Sequence, residues 1–208
     1  IENWNVLDGY LVNMLQSGTL TINGYQIVPE ETEIPLSNGW TLAPYLRNNP
    51  MYAPTAFESI ADNLVIAKDN FGGVYVPLYG INTIGYLEPT YGYYINVNTE
   101  SNLIYPSNSA QKGTTIESIT PNPKHLVPSV GRTGNSATLI LQIDAPNGYE
   151  VGAYNSNNLL IGSGYVQNNL VAVCLWGDNS ITDIIDGALE NEELTAKVFN
   201  PKSNNLSS

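Results

Sequence analysis

Short runs of β-branched and aromatic residues, separated by glycine, asparagine and proline, follow one another along nearly the whole chain. Runs of this length between turn-forming residues are typical of β-strands. In the run at 136–144, Leu139, Leu141 and Ile143 alternate with other residues, which predicts a strand with one buried face. The residues NSNN at 155–158 predict a hairpin loop, because Asn tolerates positive φ angles. The sequence therefore predicts a mainly β protein.

One segment, at 53–65, has a helical pattern instead. Pro54 suits the first turn of a helix. Four apolar residues then recur at helical spacing: Phe57, Ile60, Ala61 and Leu64. We expect one amphipathic helix of about ten residues here, and a second short helical turn at 181–190.

Composition limits the classes of partner. Of the 208 residues, 42% are hydrophobic, enough for a core, and only 12% are charged, so the polar surface depends on residues such as the 27 Asn. The net charge of −12 repels phosphate backbones and anionic lipid, which argues against nucleic acid and membrane-surface partners. No apolar run approaches the roughly 20 residues that a membrane-spanning helix needs.

Groups for catalysis are few. The chain has one His, His125, and one Cys, Cys174, which lies in an apolar run and is interpreted as a buried small hydrophobe. With one His and one Cys, no convincing Ser/His/Asp or Cys/His catalytic set can be built, and no phosphate-binding glycine motif occurs. Carboxylate pairs for glycoside hydrolysis stay open, because the chain has 19 acidic residues. We therefore expect a protein that is not an enzyme. Separately, Trp40 and Trp176 each lie next to glycine in an apolar run, and we expect both to be core anchors.

An acidic loop, WGDNSITDIIDG, is the one candidate metal site. Asp178, Asp183 and Asp186 fall within nine residues, and calcium prefers several oxygen ligands. Their spacing does not match an EF-hand loop. The alternative is that these carboxylates form turns and cap backbone N–H groups.

A group of tyrosines is the candidate ligand site. Tyr91, Tyr93 and Tyr94 lie together in YGYY, and exposed aromatic rings can stack on sugars. The alternative is that they are half-buried partners of residues on neighbouring strands.

Two stretches of the chain are alike. Gly9-Tyr10 matches Gly92-Tyr93 and Leu20 matches Leu103, both at a spacing of 83 residues. A spacing of this size suggests a repeated module. We expect five segments: the end of a preceding module at 1–35, a small β-rich module with one helix at 36–107, a linker at 108–117, a β-sandwich module at 118–200, and a linker or tail at 201–208. Within the sandwich module, HLVPSV at 125–130 is a candidate edge strand.

The first module resembles a repeated β-rich module of large secreted and cell-surface proteins of Bacteroidetes. Its pattern is GWN-(I/M)-x-Y-L-R, a helix, IVKD-x-x-G-x-VY-x-P, and then GxNxIG-x-L-x-PGxGY. The matching stretch spans about a third of the chain. They are Gly39, Trp40, Tyr45, Leu46, Arg47, Lys68, Asp69, Gly73, Tyr75, Pro77, Asn82, Ile84, Gly85, Leu87, Pro89, Gly92 and Tyr93.

The second module is similar to a β-sandwich module of the same proteins, in which a phrase like WGDNSITDIIDG follows a buried strand. The resemblance implies an extracellular adhesin or surface filament exported by type IX secretion. Its partners would be other copies of itself or neighbouring modules, and glycans are a further candidate. Assembly by strand complementation through residues near Gly9 to Met14 is a variant of this hypothesis. The alternatives are a carbohydrate-binding module of a secreted enzyme and a phage fibre protein.

Overall fold

A computed structural model describes residues 4–12, 14, 16–21, 23–110, 119–129, 133–179 and 183–207. Strands make up 37% of the protein and helices 7%, which confirms the mainly β class. The chain divides into two compact units. The first contains the described residues of 1–69, 75–80 and 84–117, and the second those of 70–74, 81–83 and 118–208. Residues of 1–35, expected to end a preceding module, thus belong to the first unit.

The described residues before 104 form nine short strands and one α-helix. In chain order they are β1 (Ile34–Leu36), β2 (Gly39–Pro44), β3 (Met51–Tyr52), α1 (Ala53–Ala56), β4 (Leu64–Lys68), β5 (Val74–Val76), β6 (Ile81–Asn82), β7 (Tyr86–Leu87), β8 (Gly92–Val97) and β9 (Ser101–Leu103). Single 3₁₀ turns occupy Pro29–Glu31, Glu58–Ile60 and Pro77–Tyr79. A five-stranded sheet has the order β2-β8-β4-β5-β6, and two smaller sheets pair β1 with β9 and β3 with β7.

Strand β8 organises the core of the first unit, because it lies between β2 and β4. Its side chains alternate: Tyr93, Ile95 and Val97 are at most 1% exposed, while the residues between them point to the opposite face. Tyr93 belongs to a tyrosine cluster in which the ring of Tyr45 meets those of Tyr93 and Tyr105 edge-on, with centroids 6.3 and 5.1 Å apart. Such T-shaped pairs are favourable beyond their buried area.

The helix expected at 53–65 is much shorter. Helix α1 ends at Ala56, a 3₁₀ turn follows, and Leu64 already begins β4. Phe57 and Ile60 are buried as the helical spacing predicts. From Leu64 onwards, pairing with β8 replaces helical hydrogen bonds, and the β-branched residues of LVIAK favour this outcome. The second helical turn is also absent from the described residues 183–190, and 181–182 lie outside them.

The second unit contains six further strands, β10 (Ser136–Gln142), β11 (Glu150–Tyr154), β12 (Leu160–Tyr165), β13 (Leu170–Trp176), β14 (Thr195–Asn200) and β15 (Asn205–Ser207). Strand β10 pairs with β13, and a second sheet has the order β12-β11-β14-β15. Side chains from both sheets share one core, in which Leu139, Leu141 and Ile143 pack against buried residues such as Val151 and Val173. These three side chains are half-buried, and so is Ile140 between them, so β10 does not have the single buried face that the alternation predicts.

The hairpin predicted at 155–158 is confirmed. Strands β11 and β12 are antiparallel, and Asn158 has a φ of 58°. The side chain of Asn155, which is 4% exposed, holds the loop: its Oδ1 accepts hydrogen bonds from the N–H groups of Asn157 and Leu159.

Several other expectations need correction. Trp40 is 54% exposed and is not a core anchor, whereas Trp176 and Cys174 are buried as predicted. The described residues 125–129 form no strand. Residues 201–208 are not simply a tail, because β15 pairs with β14.

Two glycines allow β12 to approach β13 closely. A Cβ atom on Gly162 would lie 2.1 Å from the carbonyl oxygen of Cys174, and one on Gly164 would lie 2.3 Å from that of Ala172. Neither distance is compatible with a side chain, so these positions require glycine for packing.

We predict that Gly164→Ala lowers the unfolding free energy of the second unit by about 1–3 kcal/mol, the usual cost of overpacking. Urea unfolding followed by tryptophan fluorescence measures it. Gly24→Ala is the control, since no atom lies within 4 Å of a Cβ there. An equally stable Gly164→Ala chain would contradict the close approach.

Candidate functional site

The three candidate tyrosines have different environments. Tyr93 is 1% exposed, and its hydroxyl oxygen accepts a hydrogen bond from the backbone N–H of Glu88 at 2.8 Å. Burial raises the pKa of Tyr93. The prediction that Tyr93 binds a ligand is therefore wrong, because its ring belongs to the core. Tyr91 is 43% exposed in the turn before β8, and Tyr94 is half-buried on the face of β8 opposite to Tyr93.

The face of the sheet that carries Tyr94 also carries an exposed tryptophan. Trp40 lies opposite Asn96 in the pairing of β2 with β8, and Leu42 lies opposite Tyr94. The Nζ of Lys68 is 5.9 Å from the centroid of the Trp40 ring, within the range of a cation–π interaction. The sequence pattern predicted exposed aromatic rings in this module but did not include Trp40 among them, because the Gly39-Trp40 pair was interpreted as a buried anchor.

The acidic loop uses its carboxylates on its own backbone. Asp178 Oδ1 accepts a hydrogen bond from the N–H of Asp186 at 2.8 Å, and Asp186 Oδ1 accepts one from the N–H of Asn179 at 3.1 Å. Asp183 is exposed. This arrangement agrees with the turn alternative. Within the described ranges, no group of three or more His, Cys, Asp or Glu side chains is placed to hold a metal ion.

A surface depression of about 460 Å³ lies beside the pair of strands β1 and β9. Its lining residues are Pro35, Leu36, Ser37, Glu100, Ser101 and Asn102. Of these only Glu100 is acidic, and the Nδ2 of Asn102 donates a hydrogen bond to Glu33 Oε2 at 2.7 Å. The lining therefore offers one carboxylate, where glycoside hydrolysis uses two.

Arg47 is a deeply buried cation of the first unit, with 2% of its surface exposed. Its Nη1 donates to the carbonyl oxygens of Pro106, at 2.7 Å, and Ser107, and its Nη2 donates to that of Ala110 at 3.1 Å. The Oδ1 of Asn49 accepts a further bond from Nη2 at 2.6 Å. The planar guanidinium suits such a set of acceptors better than an ammonium group would. Arg47 therefore fixes the chain where it leaves the first unit.

Glu150 is the buried anion of the second unit and is also 2% exposed. Its carboxylate accepts hydrogen bonds from the N–H groups of three consecutive residues, Lys124, His125 and Leu126, at 2.8 to 3.2 Å. The Nδ1–H of His125 donates a fourth bond to Oε1 at 2.9 Å, and the His125 ring packs on Phe199 with centroids 4.8 Å apart. Glu150 thus fixes the chain where it enters the second unit.

The pKa of Glu150 reflects two opposed causes. Burial raises it, but the hydrogen bonds from Leu126, Lys124 and His125 together outweigh burial, so the pKa is lowered from 4.5. A carboxylate that accepts several N–H bonds favours its ionised form. The Glu150 carboxylate is therefore protonated less readily in the folded state than in the unfolded state.

The sequence analysis did not name Glu150 as a site residue, although its position in an apolar strand could have indicated it. Glu150 is the lone acid at the start of the apolar strand EVGAY, where an acid needs several donors to be buried. The donors come from a segment about 25 residues earlier, which no local pattern reveals.

No helix in the described part of the chain has the length and apolar character that crossing a membrane requires. No protein-family model matches the chain. Comparisons with curated proteins and with solved structures find no significant match either.

We predict that Glu150→Gln lowers the unfolding free energy of the second unit by about 2–4 kcal/mol at pH 7, because buried N–H groups lose a charged acceptor. The stabilisation by Glu150 is present above pH 4.5 and is lost as the pH falls through the lowered pKa of the folded state. The variant should therefore show a flatter loss of stability below pH 5. Chemical unfolding between pH 3 and 7 measures both effects.

Glu192→Gln is the matched control. Glu192 also accepts three hydrogen bonds, from the N–H and hydroxyl of Ser156 and the N–H of Leu189, but on the exposed surface. We expect a smaller loss there. Equal losses for the two variants would show that burial of Glu150 contributes nothing.

We predict that Arg47→Met lowers the unfolding free energy of the first unit by about 2–4 kcal/mol, because three partly buried carbonyl groups lose their charged donor. Arg47→Lys should recover only part of this loss. Hydrogen exchange at the amide of Ala110, which bonds to the Ser107 carbonyl, should accelerate in Arg47→Met. Unchanged exchange there would contradict the role of Arg47, and Lys202→Met, at an exposed residue, controls for lost charge.

Proposed function

We propose that this chain is a non-catalytic structural segment of an extracellular multidomain adhesin or surface filament, and that it presents β-modules in series. The observation that carries the proposal is that two of the buried charged groups, Arg47 and Glu150, form hydrogen bonds with the main chain. Each binds main-chain atoms of the segment that joins the modules, at 106–110 and at 124–126. Arg47 therefore holds residues 106–110 on the first unit, and Glu150 holds residues 124–126 on the second.

This arrangement suits a protein that transmits force along its chain. Tension on residues 106–110 reaches Arg47 before it reaches the core of the first unit, and tension on residues 124–126 reaches Glu150 before it reaches the core of the second. Hydrogen bonds that involve charged groups are stronger than neutral ones, so each unit resists extension at its own end of the segment. A freely jointed linker would not need two buried charges.

Surface composition supports an extracellular location. With 12% charged residues and 27 Asn, the surface presents neutral hydrogen-bonding groups, and the net charge of −12 keeps copies soluble. The resemblance of the first module to repeated modules of Bacteroidetes surface proteins, and with it type IX secretion, points the same way. The proposal requires no cofactor. Calcium at Asp178, Asp183 and Asp186 would be an addition, and an unfolding temperature that rises with calcium would establish it.

Immunogold labelling of intact source cells tests the location. Antibodies against the folded chain should label the outside of unpermeabilised cells, and proteinase treatment of intact cells should remove the label. Label that appears only after permeabilisation would overturn the proposal. Label on virions instead of cells would identify a phage fibre.

A carbohydrate-binding module is the second candidate function, and the exposed Trp40 favours it. A flat ring that is 54% exposed, opposite Asn96, offers a sugar both a stacking surface and a hydrogen-bonding amide. A glycan array tests it. Trp40→Ala should abolish any binding, and Phe71→Ala, at a ring that is 40% exposed, is the control. Absence of binding to all glycans would remove this candidate.

A further inference from the structure

The N-terminal segment, residues 4–12, 14, 16–21 and 23–28, exposes large apolar side chains along its length. In the described chain these residues belong to no helix or strand. Tyr10, Val12, Met14 and Leu20 are 37%, 60%, 53% and 57% exposed. Single exposed apolar residues are ordinary on a protein surface, so what matters here is the pattern that these four follow.

The same side-chain pattern is buried elsewhere in the chain. At the spacing of 83 residues, Tyr10, Val12, Met14 and Leu20 correspond to positions in β8 and β9. Those four positions are Tyr93, Ile95, Val97 and Leu103, and each is at most 1% exposed. The N-terminal segment therefore has the pattern of a buried strand without the neighbours that would bury it.

The first unit also has an edge strand that the N-terminal segment contacts. Strand β2 is terminal in the order β2-β8-β4-β5-β6. The Leu42 carbonyl accepts a hydrogen bond from the N–H of Gly9 of the same chain at 3.0 Å. A Cβ on Gly9 would lie 2.6 Å from Leu42 Cγ, so glycine fits this contact closely. An unpaired strand edge is a template for another strand.

We propose that Gly9–Val12 of one copy adds to the outer edge of β2 in a second copy, antiparallel and with Gly9 opposite Leu42. In this register, the hydrogen bond from the Gly9 N–H to the Leu42 carbonyl, which forms within one chain, forms instead between two copies. This inference deepens the proposed function and rests on it, since it names the partner of a filament subunit. A strand added here places Leu11 opposite Trp40.

Chain length allows the exchange. The 22 residues from Val12 to Ile34 can span roughly 75 Å when extended, so the segment can reach a neighbouring copy while β1 stays in place. The net charge of −12 on each copy opposes association, and salt screens that repulsion. Association should therefore strengthen with ionic strength.

Disulfide formation between two different full-length variants tests the register. One chain carries Leu11→Cys and the other Trp40→Cys, so this disulfide can form only between copies. Both positions are exposed, at 61% and 54%, so a cysteine there leaves the core unchanged, while the buried Cys174 is common to all chains. After mixing and mild oxidation at about 0.5 M salt, we expect at least fivefold more heterodimer than with a control pair.

The control pair combines Tyr25→Cys with Trp40→Cys. Tyr25 is fully exposed and lies in the same N-terminal segment, beyond the residues proposed to pair. Equal yields from the two pairs would overturn the proposed register.

Sedimentation equilibrium of the full chain gives an independent measurement. Val12→Asp should weaken self-association at least tenfold, because it places a charge in the added strand, and Tyr25→Asp should not. A chain that stays monomeric at every concentration overturns the inference. If the chain is monomeric but antibodies still label intact cells, strand addition between copies is wrong and the proposed function stands. If label appears only inside cells, the proposed function is wrong whatever the oligomeric state.

Discussion

The organisation of this protein depends on how buried charge is compensated. Neither Arg47 nor Glu150 relies on an opposite charge alone: Arg47 donates to main-chain carbonyl groups, and Glu150 accepts from three successive main-chain N–H groups as well as from His125. A charge removed from water is costly unless such partners replace the water. Residues 106–110 supply those partners to Arg47 and residues 124–126 supply them to Glu150, so each of these two stretches is in turn held on its own unit.

The strands could be predicted from sequence because their information is local. The alternation in SATLILQ and the loop NSNN each specify structure within a few residues. The helix at 53–65 was overestimated because its spacing is also local, while the competing pairing of Leu64 with Val97 is not. Strand β15 was missed for a similar reason, since three exposed residues become a strand only when β14 lies beside them.

The candidate site was harder to predict. A motif can place Tyr93 and Tyr94 on one strand, and alternation puts them on opposite faces, but only the packed core shows which face is solvent. The same ambiguity made Trp40 resemble a core residue. Glu150 and its donors are separated by about 25 residues, so their meeting is a property of the fold. For Asp178 and Asp186, by contrast, the sequence offered two interpretations, calcium binding and turn formation. Their hydrogen bonds to backbone N–H groups of the same loop agree with turn formation.

Single-molecule extension of the full chain from its two ends tests the anchoring role of Glu150 most directly. If Glu150 holds residues 124–126, the wild-type chain should show no extension of the second unit before its core unfolds. The Glu150→Gln chain should first release the roughly ten residues between this anchor and β10, an early step of about 35 Å at low force. Identical traces for the two chains would contradict the account, because residues 124–126 would then bear no tension through Glu150.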